Sequence, residues 1–201
     1  MNPEEKKSYS VPALLFHYFD RKTGPFLNLS SLDEGSALIE QQKLSENPNF
    51  FASKRTDDYI ATRFRLENHA RDMFIQLGGN PKIERPYTLT LGQCDWLESW
   101  YPQPDVLGVS LKHIPQDVVS FTYGDLFPAF LENKGLLHEK RVYLKKDLED
   151  LIETFGLPQA TNPFGELGPV RYIEAQVWDE AIIRDLRTNY QQKSINRSLQ
   201  D

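Results

Sequence analysis

The chain has 201 residues, of which 39% are hydrophobic, 26% are charged and 12% are aromatic. These values argue against wholesale disorder, and the length favours a single domain over residues 1–201. A net charge of −6 favours solubility and argues against a broad nucleic-acid-binding or anionic-membrane surface. The charged start lacks the apolar region of a secretory signal, and VPALLF is far too short to span a bilayer. We therefore expect a cytoplasmic protein without nucleic-acid or membrane partners.

Cysteine and histidine usage gives no metal-ligand pattern. Cys94 is the one cysteine, so an intramolecular disulfide cannot form, and the four histidines are far apart in the sequence. No spacing typical of a zinc site occurs, and we predict no metal. Cys94 is interpreted either as a small half-buried hydrophobic side chain or as a thiol nucleophile.

The first part of the chain combines one strand with two helices. VPALLFHYFD is typical of a strand that ends at the turn signal RKTGP. A helix follows in SSLDEGSALIEQQKLSE, where Ser31 and Glu34 fit a capping box. The clearest helix is TDDYIATRFRLENHARDMFIQLGGNP, which ends in Gly, Asn and Pro.

The rest of the chain is richer in strands. CDWLESWYPQPDVLG is an aromatic, turn-rich segment, and helices are predicted in KKDLEDLIETFG and IIRDLRTNY. Strands are predicted in PYTLTLG, VSLKHI, DVVSFTY, KRVYL and RYIEAQVW. Because strands outnumber helices without regular alternation, we predict an α+β fold: a mixed, mostly antiparallel sheet of about five or six strands with three or four helices packed on it. Residues 1–10 and 188–201 are expected to be flexible tails.

A ladder of charges runs along the long helix between two apolar stripes. Arg63, Glu67 and Arg71 follow one another at intervals of four residues. One interpretation is a set of ion pairs at the seam between two packing layers. The other is that an arginine reaches past the seam to an anion or a buried carboxylate, which the guanidinium can bind with two hydrogen bonds.

The strand RYIEAQVW places Tyr172, Glu174, Gln176 and Trp178 on one face. On a half-exposed antiparallel sheet this face is simply the one in water. Alternatively it is the floor of a cleft, whose aromatic walls exclude water and raise the pKa of Glu174, while Gln176 binds a ligand by hydrogen bonds.

Four further residues are candidates for a site. His17 in FHYF is interpreted as a hydrogen-bonded core residue or a catalyst. Tyr123 and Asp125 lie in SFTYGDLFP at a strand end, where an Asp either binds a ligand or bonds its own turn. Arg55 precedes a helix N-terminus that could hold a phosphate, although the two aspartates of TDDY compete for the same N–H groups.

Five segments together resemble a family of small uncharacterised proteins of spore-forming Gram-positive bacteria: LLFHYFD…GPFLNLSSL, FASKRTDDY, TLGQCDWLESWY, SFTYGDLFPAF and RYIEAQVW. The resemblance extends from about Leu15 to Trp178 and implies a bacterial cytoplasmic protein, with no activity attached. At the start of the helix in KKDLEDLIETFG, Leu144 stands where a Thr or Ser cap is expected, so we expect that start to be frayed or shifted.

A weaker resemblance is to the layout of ADP-ribosyltransferases, in an opening strand with His-Tyr and a late strand of the form Y-I-E-x-Q. It implies that His17 contacts the ribose of NAD and that Glu174 stabilises the oxocarbenium-like centre. The sequence departs from the family pattern at Gln176, which occupies the position of the expected catalytic Glu.

These observations leave three functions open. The first is an α+β domain whose polar and aromatic cleft binds a small ligand, with nucleotides as one candidate class and no cofactor. The second is an NAD-dependent ADP-ribosyltransferase that uses Glu174. The third is an interaction module that uses exposed aromatic side chains, namely Trp96, Trp100 and Tyr101. A cleft requires His17, Glu174 and Arg63 or Arg71 to converge, whereas an interaction module requires a flat apolar patch.

Overall fold

The computed structural model describes residues 10–198, with side chains described as far as Lys193. Its five strands are β1 (Leu14–Asp20), β2 (Tyr87–Leu91), β3 (Pro104–Ser110), β4 (Val119–Tyr123) and β5 (Ile173–Val177). They form one sheet in the order β3-β1-β2-β5-β4, and each neighbouring pair of these strands is antiparallel. The predicted α+β class with a mostly antiparallel sheet is confirmed.

The four longer helices are α1 (Glu34–Ser45), α2 (Tyr59–Gln76), α5 (Leu148–Phe155) and α7 (Glu180–Ser198). Three short helices, each of four to six residues, are α3 (Asp95–Glu98), α4 (Leu126–Leu131) and α6 (Pro158–Thr161). Single 3₁₀ turns occupy Leu29–Ser31, Phe51–Lys54, Leu111–His113, Gln116–Val118 and Lys145–Asp147. None of the helices within residues 10–198 has the length and apolar character needed to cross a bilayer.

The main hydrophobic core covers one face of the sheet, here called the core face. Alternation along β5 directs Ile173, Ala175 and Val177 to this face, where all three are fully buried. They pack in one cluster with residues of α5 and α7, namely Leu148, Leu151, Ile152 and Ile183. The amphipathic spacing in α5 therefore buries the apolar face of this helix in the core, as the sequence predicts.

The opposite face of the sheet, here called the polar face, carries hydroxyl, amide and carboxyl groups. The strand register aligns these groups in two rows across β2, β5 and β4. One row contains Thr90, Glu174 and Thr122, and the next contains Thr88, Gln176 and Ser120. Five of these six side chains are buried. Helices α2 and α4 cover part of this face with a second cluster that includes Leu66, Ala70, Phe74, Ala129 and Trp178. Both faces of β5 are thus buried.

Strands β1 and β2 pair over a short distance. Their ladder contains the pairs Leu15–Leu91 and Phe16–Thr90, while β1 pairs with β3 over its whole length. Beyond Thr90 the two strands separate, and the ring of His17 lies in the gap with Nδ1 3.2 Å from the carbonyl oxygen of Thr88. The sheet therefore has an opening beside β2.

Several element boundaries differ from the prediction. VSLKHI is not a separate strand, because β3 begins at Pro104 and ends at Ser110 to match β1, and the next three residues form a 3₁₀ turn. KRVYL contributes a single bridge from Tyr143 to Phe121. Helix α1 is capped by Asp33, whose carboxylate accepts the Ser36 N–H at 3.0 Å, and not by Ser31.

The last two boundaries concern α5 and α7. A 3₁₀ turn precedes α5, and Asp147 Oδ2 accepts the N–H of Leu144 at 2.8 Å, so the start of this helix is shifted as expected. Helix α7 continues to Ser198 and includes most of the predicted carboxyl-terminal tail. The predicted tail at residues 1–10 lies outside the described residues apart from Ser10.

Candidate functional site

A cleft of about 940 Å³ lies against the polar face of the sheet. Its lining includes Thr90 and Glu174 from the sheet, three residues of α2, and Arg55 with the 3₁₀ turn before it. A second cavity of about 540 Å³ between the end of α2 and α5 contains none of the predicted site residues. The larger cleft is therefore the candidate site, since it brings together acids, arginines and aromatic rings.

Glu174 lies at the floor of the cleft, in the middle of the sheet. Its side chain is only 7% exposed, so the interpretation of this face as the one in water is wrong. Burial raises the pKa of Glu174 to about 8, and the charge of the neighbouring Asp125 adds to the shift. Strands β2 and β4 flank Glu174 with Thr90 and Thr122, which contribute no charge.

Gln176 fixes the position of Glu174. Its Nε2 donates to Thr122 Oγ1 at 2.8 Å and to Glu174 Oε1 at 3.1 Å, and its Oε1 accepts the Ser120 hydroxyl at 2.9 Å. Ser120 Oγ in turn accepts Nε1–H of Trp178 at 2.8 Å. Gln176 and Trp178 do not line the cleft, so the structure gives no support to the prediction that they contact a ligand.

Asp125 and Tyr172 line the cleft beside Glu174, as predicted. Asp125 caps α4 by accepting the Phe127 N–H at 2.8 Å. Bonding its own turn was one of the two roles that the sequence indicated, and ligand binding was the other. Burial raises the pKa of Asp125 to about 6. Burial also raises the pKa of Tyr172 well above its usual value, and the charges of Asp125 and Glu174 add to that effect. The cleft floor thus holds two carboxyl groups that favour their protonated forms.

Arg63 is held by four partners on the wall of the cleft. It donates to Glu67 Oε1 at 2.8 Å, Ser30 Oγ at 2.7 Å, Tyr59 Oη at 3.0 Å and Asn28 Oδ1 at 3.1 Å. Burial opposes its charge, but Tyr59 and Glu67 outweigh burial and the pKa of Arg63 is raised. The guanidinium is therefore a permanent positive charge, and it partly opposes the rise in the pKa of Glu174.

The ladder on α2 is a buried cluster and not a row of surface ion pairs. Glu67 is fully buried, and its second carboxylate oxygen lies 3.5 Å from Nη1 of Arg85, a residue the sequence did not single out. Arg71 takes no part in the cluster, because its Nε donates to the carbonyl of Ile83 at 3.3 Å. Arg71 does not line the cleft, so the structure gives no support to the prediction that it binds a ligand.

Arg55 lines the cleft as predicted, where the chain enters α2. Its guanidinium lies over the ring of Tyr59, 4.4 Å from the ring centroid. That ring stacks on Phe127 at 5.0 Å. Burial lowers the pKa of Arg55. Arg55 lies next to the N-terminus of α2, which begins at Tyr59, and a phosphate at this helix end stays a prediction.

Aromatic rings from the turn-rich segment form another wall. Trp100 stacks on Phe51 at 4.0 Å and meets Trp96 edge-on at 4.9 Å, while Arg171 lies over Trp96 at 4.1 Å. Trp96, Trp100 and Tyr101 are half-buried. An interaction module would need them on a flat exposed patch, so the geometry favours a cleft.

His17 does not converge with Glu174. Alternation along β1 places it on the core face, and it meets the cleft only through the gap beside β2. Its Nε2 accepts the Phe26 N–H at 2.9 Å, so Nδ1 carries the proton and donates to Thr88. Burial lowers the pKa of His17 to about 4. Both nitrogens are engaged within the protein, which fits the interpretation of His17 as a hydrogen-bonded core residue, and its catalytic role stays a prediction.

Tyr123 also lies on the core face, where its hydroxyl donates to the carbonyl of Phe155 at 2.8 Å. Tyr123 does not line the cleft, so the structure gives no support to its predicted ligand contact. Sequence reasoning also missed Tyr59 by assigning it to an apolar stripe. The four-residue spacing of Arg55, Tyr59, Arg63 and Glu67 could have revealed this wall.

The site defines the protein as an α+β domain with a polar and aromatic cleft. In the described range, no group of three or more His, Cys, Asp and Glu side chains is arranged to hold a metal ion. Comparisons with protein-family models, curated proteins and solved structures found no match.

Proposed function

We propose that this domain binds a small polar ligand with a planar ring in the cleft over Glu174, with nucleotides as the first class to test. The observation that carries the proposal is the placement of Glu174: a carboxyl group buried in the centre of a sheet, at the floor of a cleft. Buried carboxylates in cores are normally paired with a cation, and no ion pair joins Glu174 within residues 10–198.

The dimensions and the lining of the cleft support a small molecule. Its volume of about 940 Å³ falls within the range of roughly 300–1,000 Å³ typical of ligand sites. Aromatic rings of Tyr59, Trp100 and Tyr172 provide flat apolar surface, while a few polar groups can fix orientation. Glu174, as a protonated carboxyl near neutral pH, can donate one hydrogen bond and accept another.

The geometry favours binding over ADP-ribosyl transfer. That reaction would require His17 and Glu174 to meet around NAD, and the two side chains lie on opposite faces of the sheet. Gln176, at the position of the expected catalytic Glu, is engaged by Ser120, Thr122 and Glu174. A cytoplasmic location and the absence of a nucleic-acid partner stay predictions from the sequence.

A thermal-shift screen against nucleotides, NAD and phosphosugars tests the proposal. A ligand at about 100 times its Kd should stabilise the folded state by roughly 2.7 kcal/mol. Glu174→Gln should reduce that shift for the same ligand, because it removes the ionisable group at the floor with little change of shape. Glu153→Gln, on the exposed face of α5, is the matched control and should retain the shift. A screen without any stabilising compound, or a shift unchanged in Glu174→Gln, would contradict the proposal.

A further inference from the structure

Among the arginines that line the cleft, Arg55 differs from the others in its lack of a hydrogen-bond acceptor within residues 10–198. The lining contains three arginines, counted over the described residues: Arg55, Arg63 and Arg187. Arg63 has four hydrogen-bond acceptors, and Arg187 bonds Glu180 and the carbonyl of Phe26. The guanidinium of Arg55 makes no hydrogen bond or ion pair with the described part of the chain, and its contact is the ring of Tyr59.

The carboxylates of the cleft are all engaged away from Arg55. Asp20 accepts the backbone N–H groups of Lys22 and Gln103, and Asp125 accepts that of Phe127. Two further acids form ion pairs within their own helices: Glu67 binds Arg63 on α2, and Glu40 binds Lys43 on α1. Glu174 accepts from Gln176 on β5. A half-buried guanidinium has therefore been left without an anion.

A second donor in the lining of the cleft also lacks an acceptor in the described part of the chain. Nε1 of Trp100 is buried and has no hydrogen-bond partner among residues 10–198, although Trp100 lines the same cleft. Its ring stacks on Phe51, whose 3₁₀ turn ends immediately before Arg55. Buried indole N–H groups normally find a partner, because a donor that is removed from water without an acceptor destabilises the folded state. Two donors among the described residues that line the cleft thus lack acceptors.

We infer that Arg55 and Nε1 of Trp100 form an anion subsite in the cleft. At this subsite they bind a phosphate or carboxylate group of the ligand. The inference rests on the proposed function and adds the chemical class of the ligand. Oxyanions fit because their several acceptor oxygens can satisfy a guanidinium fork and an indole N–H together. Asp125 and Glu174 also line the cleft, and their carboxyl groups suit hydroxyl or amino groups of the same ligand. The cleft therefore selects a ligand with one anionic end.

Calorimetric titrations with two matched series test the subsite. The first is glucose, glucuronate and glucose 6-phosphate, and the second is adenosine and AMP. We expect the anionic members to bind roughly 10- to 100-fold more tightly than the neutral one, as for hydrogen bonds to charged groups. The carboxylate and phosphate members of the first series distinguish the two sources of negative charge.

Variants of Arg55 and Trp100 test whether these two residues cause the preference for anionic ligands. Arg55→Ala should abolish the preference for the anionic member over the neutral one, and its circular dichroism spectrum should match that of the wild type if the variant is folded. Trp100→Phe keeps the stacked ring and removes the N–H group, and should weaken anion binding several-fold. The control is Arg65→Ala, which removes an exposed arginine of α2 outside the cleft and should change nothing.

The outcomes separate this inference from the proposed function. Equal affinity for neutral and anionic members, or a preference that persists in Arg55→Ala, would overturn the anion subsite while ligand binding in the cleft stands. Absence of binding by every member, together with an empty thermal-shift screen, would overturn both proposals.

Discussion

The amide of Gln176 donates a hydrogen bond of 3.1 Å to the carboxyl of Glu174, two residues earlier on the same face of β5. This bond stabilises the charged form of Glu174, yet burial and Asp125 outweigh it and the pKa of Glu174 is raised. Gln176 is itself held by Ser120 and Thr122 on β4. The sheet therefore orients an acid whose negative charge it disfavours, an arrangement typical of functional sites.

The first prediction follows from this raised pKa. Between pH 4.5 and about 8, the folded state holds a proton on Glu174 that the unfolded state has released, so stability falls as pH rises through that window. Glu174→Gln removes this loss and should stabilise the protein by roughly 2–3 kcal/mol at pH 7, and by little at pH 4.5. Urea melts of both proteins at several pH values measure it. A variant no more stable than the wild type at pH 7 would show that the carboxylate has a partner.

The second prediction concerns the coupling between Asp125 and Glu174. Asn caps helices about as well as Asp, so Asp125→Asn removes the charge and keeps the cap. Because the charge of Asp125 raises the pKa of Glu174, that pKa should fall below about 8 in Asp125→Asn. Carboxyl NMR titration measures the change, with Asp72→Asn on the exposed side of α2 as the control. An unchanged titration of Glu174 would mean that the two acids do not interact.

Asp125 should also affect stability in its own right. Its pKa is raised from 3.8 to about 6, mainly by burial, so its contribution to stability falls as pH rises through that window. Asp125→Asn should therefore stabilise the protein by roughly 1–3 kcal/mol at pH 7 and have little effect at pH 4. Urea melts of the wild type and Asp125→Asn at several pH values measure the effect. A variant that is less stable than the wild type at pH 7 would contradict this prediction.

The third prediction compares a buried ion pair with an exposed one. Glu67→Gln should cost roughly 3–5 kcal/mol, because it leaves Arg63 buried without its carboxylate. Glu40→Gln removes the partner of Lys43 from an exposed pair with a nitrogen–oxygen distance of 2.6 Å and should cost less than about 0.5 kcal/mol. Denaturant melts at pH 7 give both values. Similar costs for the two variants would place Glu67 at the surface.

The fourth prediction concerns Cys94. The residue is buried, and burial raises the pKa of its thiol, which lowers the fraction of reactive thiolate. Ellman's reagent at pH 8 should react at least about tenfold more slowly with the folded protein than with the urea-unfolded protein. Equal rates would favour the interpretation of Cys94 as an exposed nucleophile.

The sequence by itself determined the elements whose pattern is local. The apolar spacing in α5, the glycine-rich end of α2 and the alternation in β5 depend on neighbours within one or two turns, and the fold class follows from their order. Boundaries shifted where a distant partner decided them. Strand β3 starts at Pro104 because it matches the length of β1, which no local signal between residues 104 and 114 indicates.

Tertiary structure decided the environment of each site residue. The alternation of β5 is the same whether Glu174 faces water or a cleft, and only the placement of β5 between β2 and β4, with helices over the polar face, buries it. Register likewise puts His17 and Glu174 on opposite faces. The spacing of Arg63 and Glu67 fits a surface pair equally well, and Ser30 with Asn28, more than 30 residues away, makes it a buried cluster. Burial is a property of contacts between distant segments, so the pKa of Glu174 could not be read from its own strand.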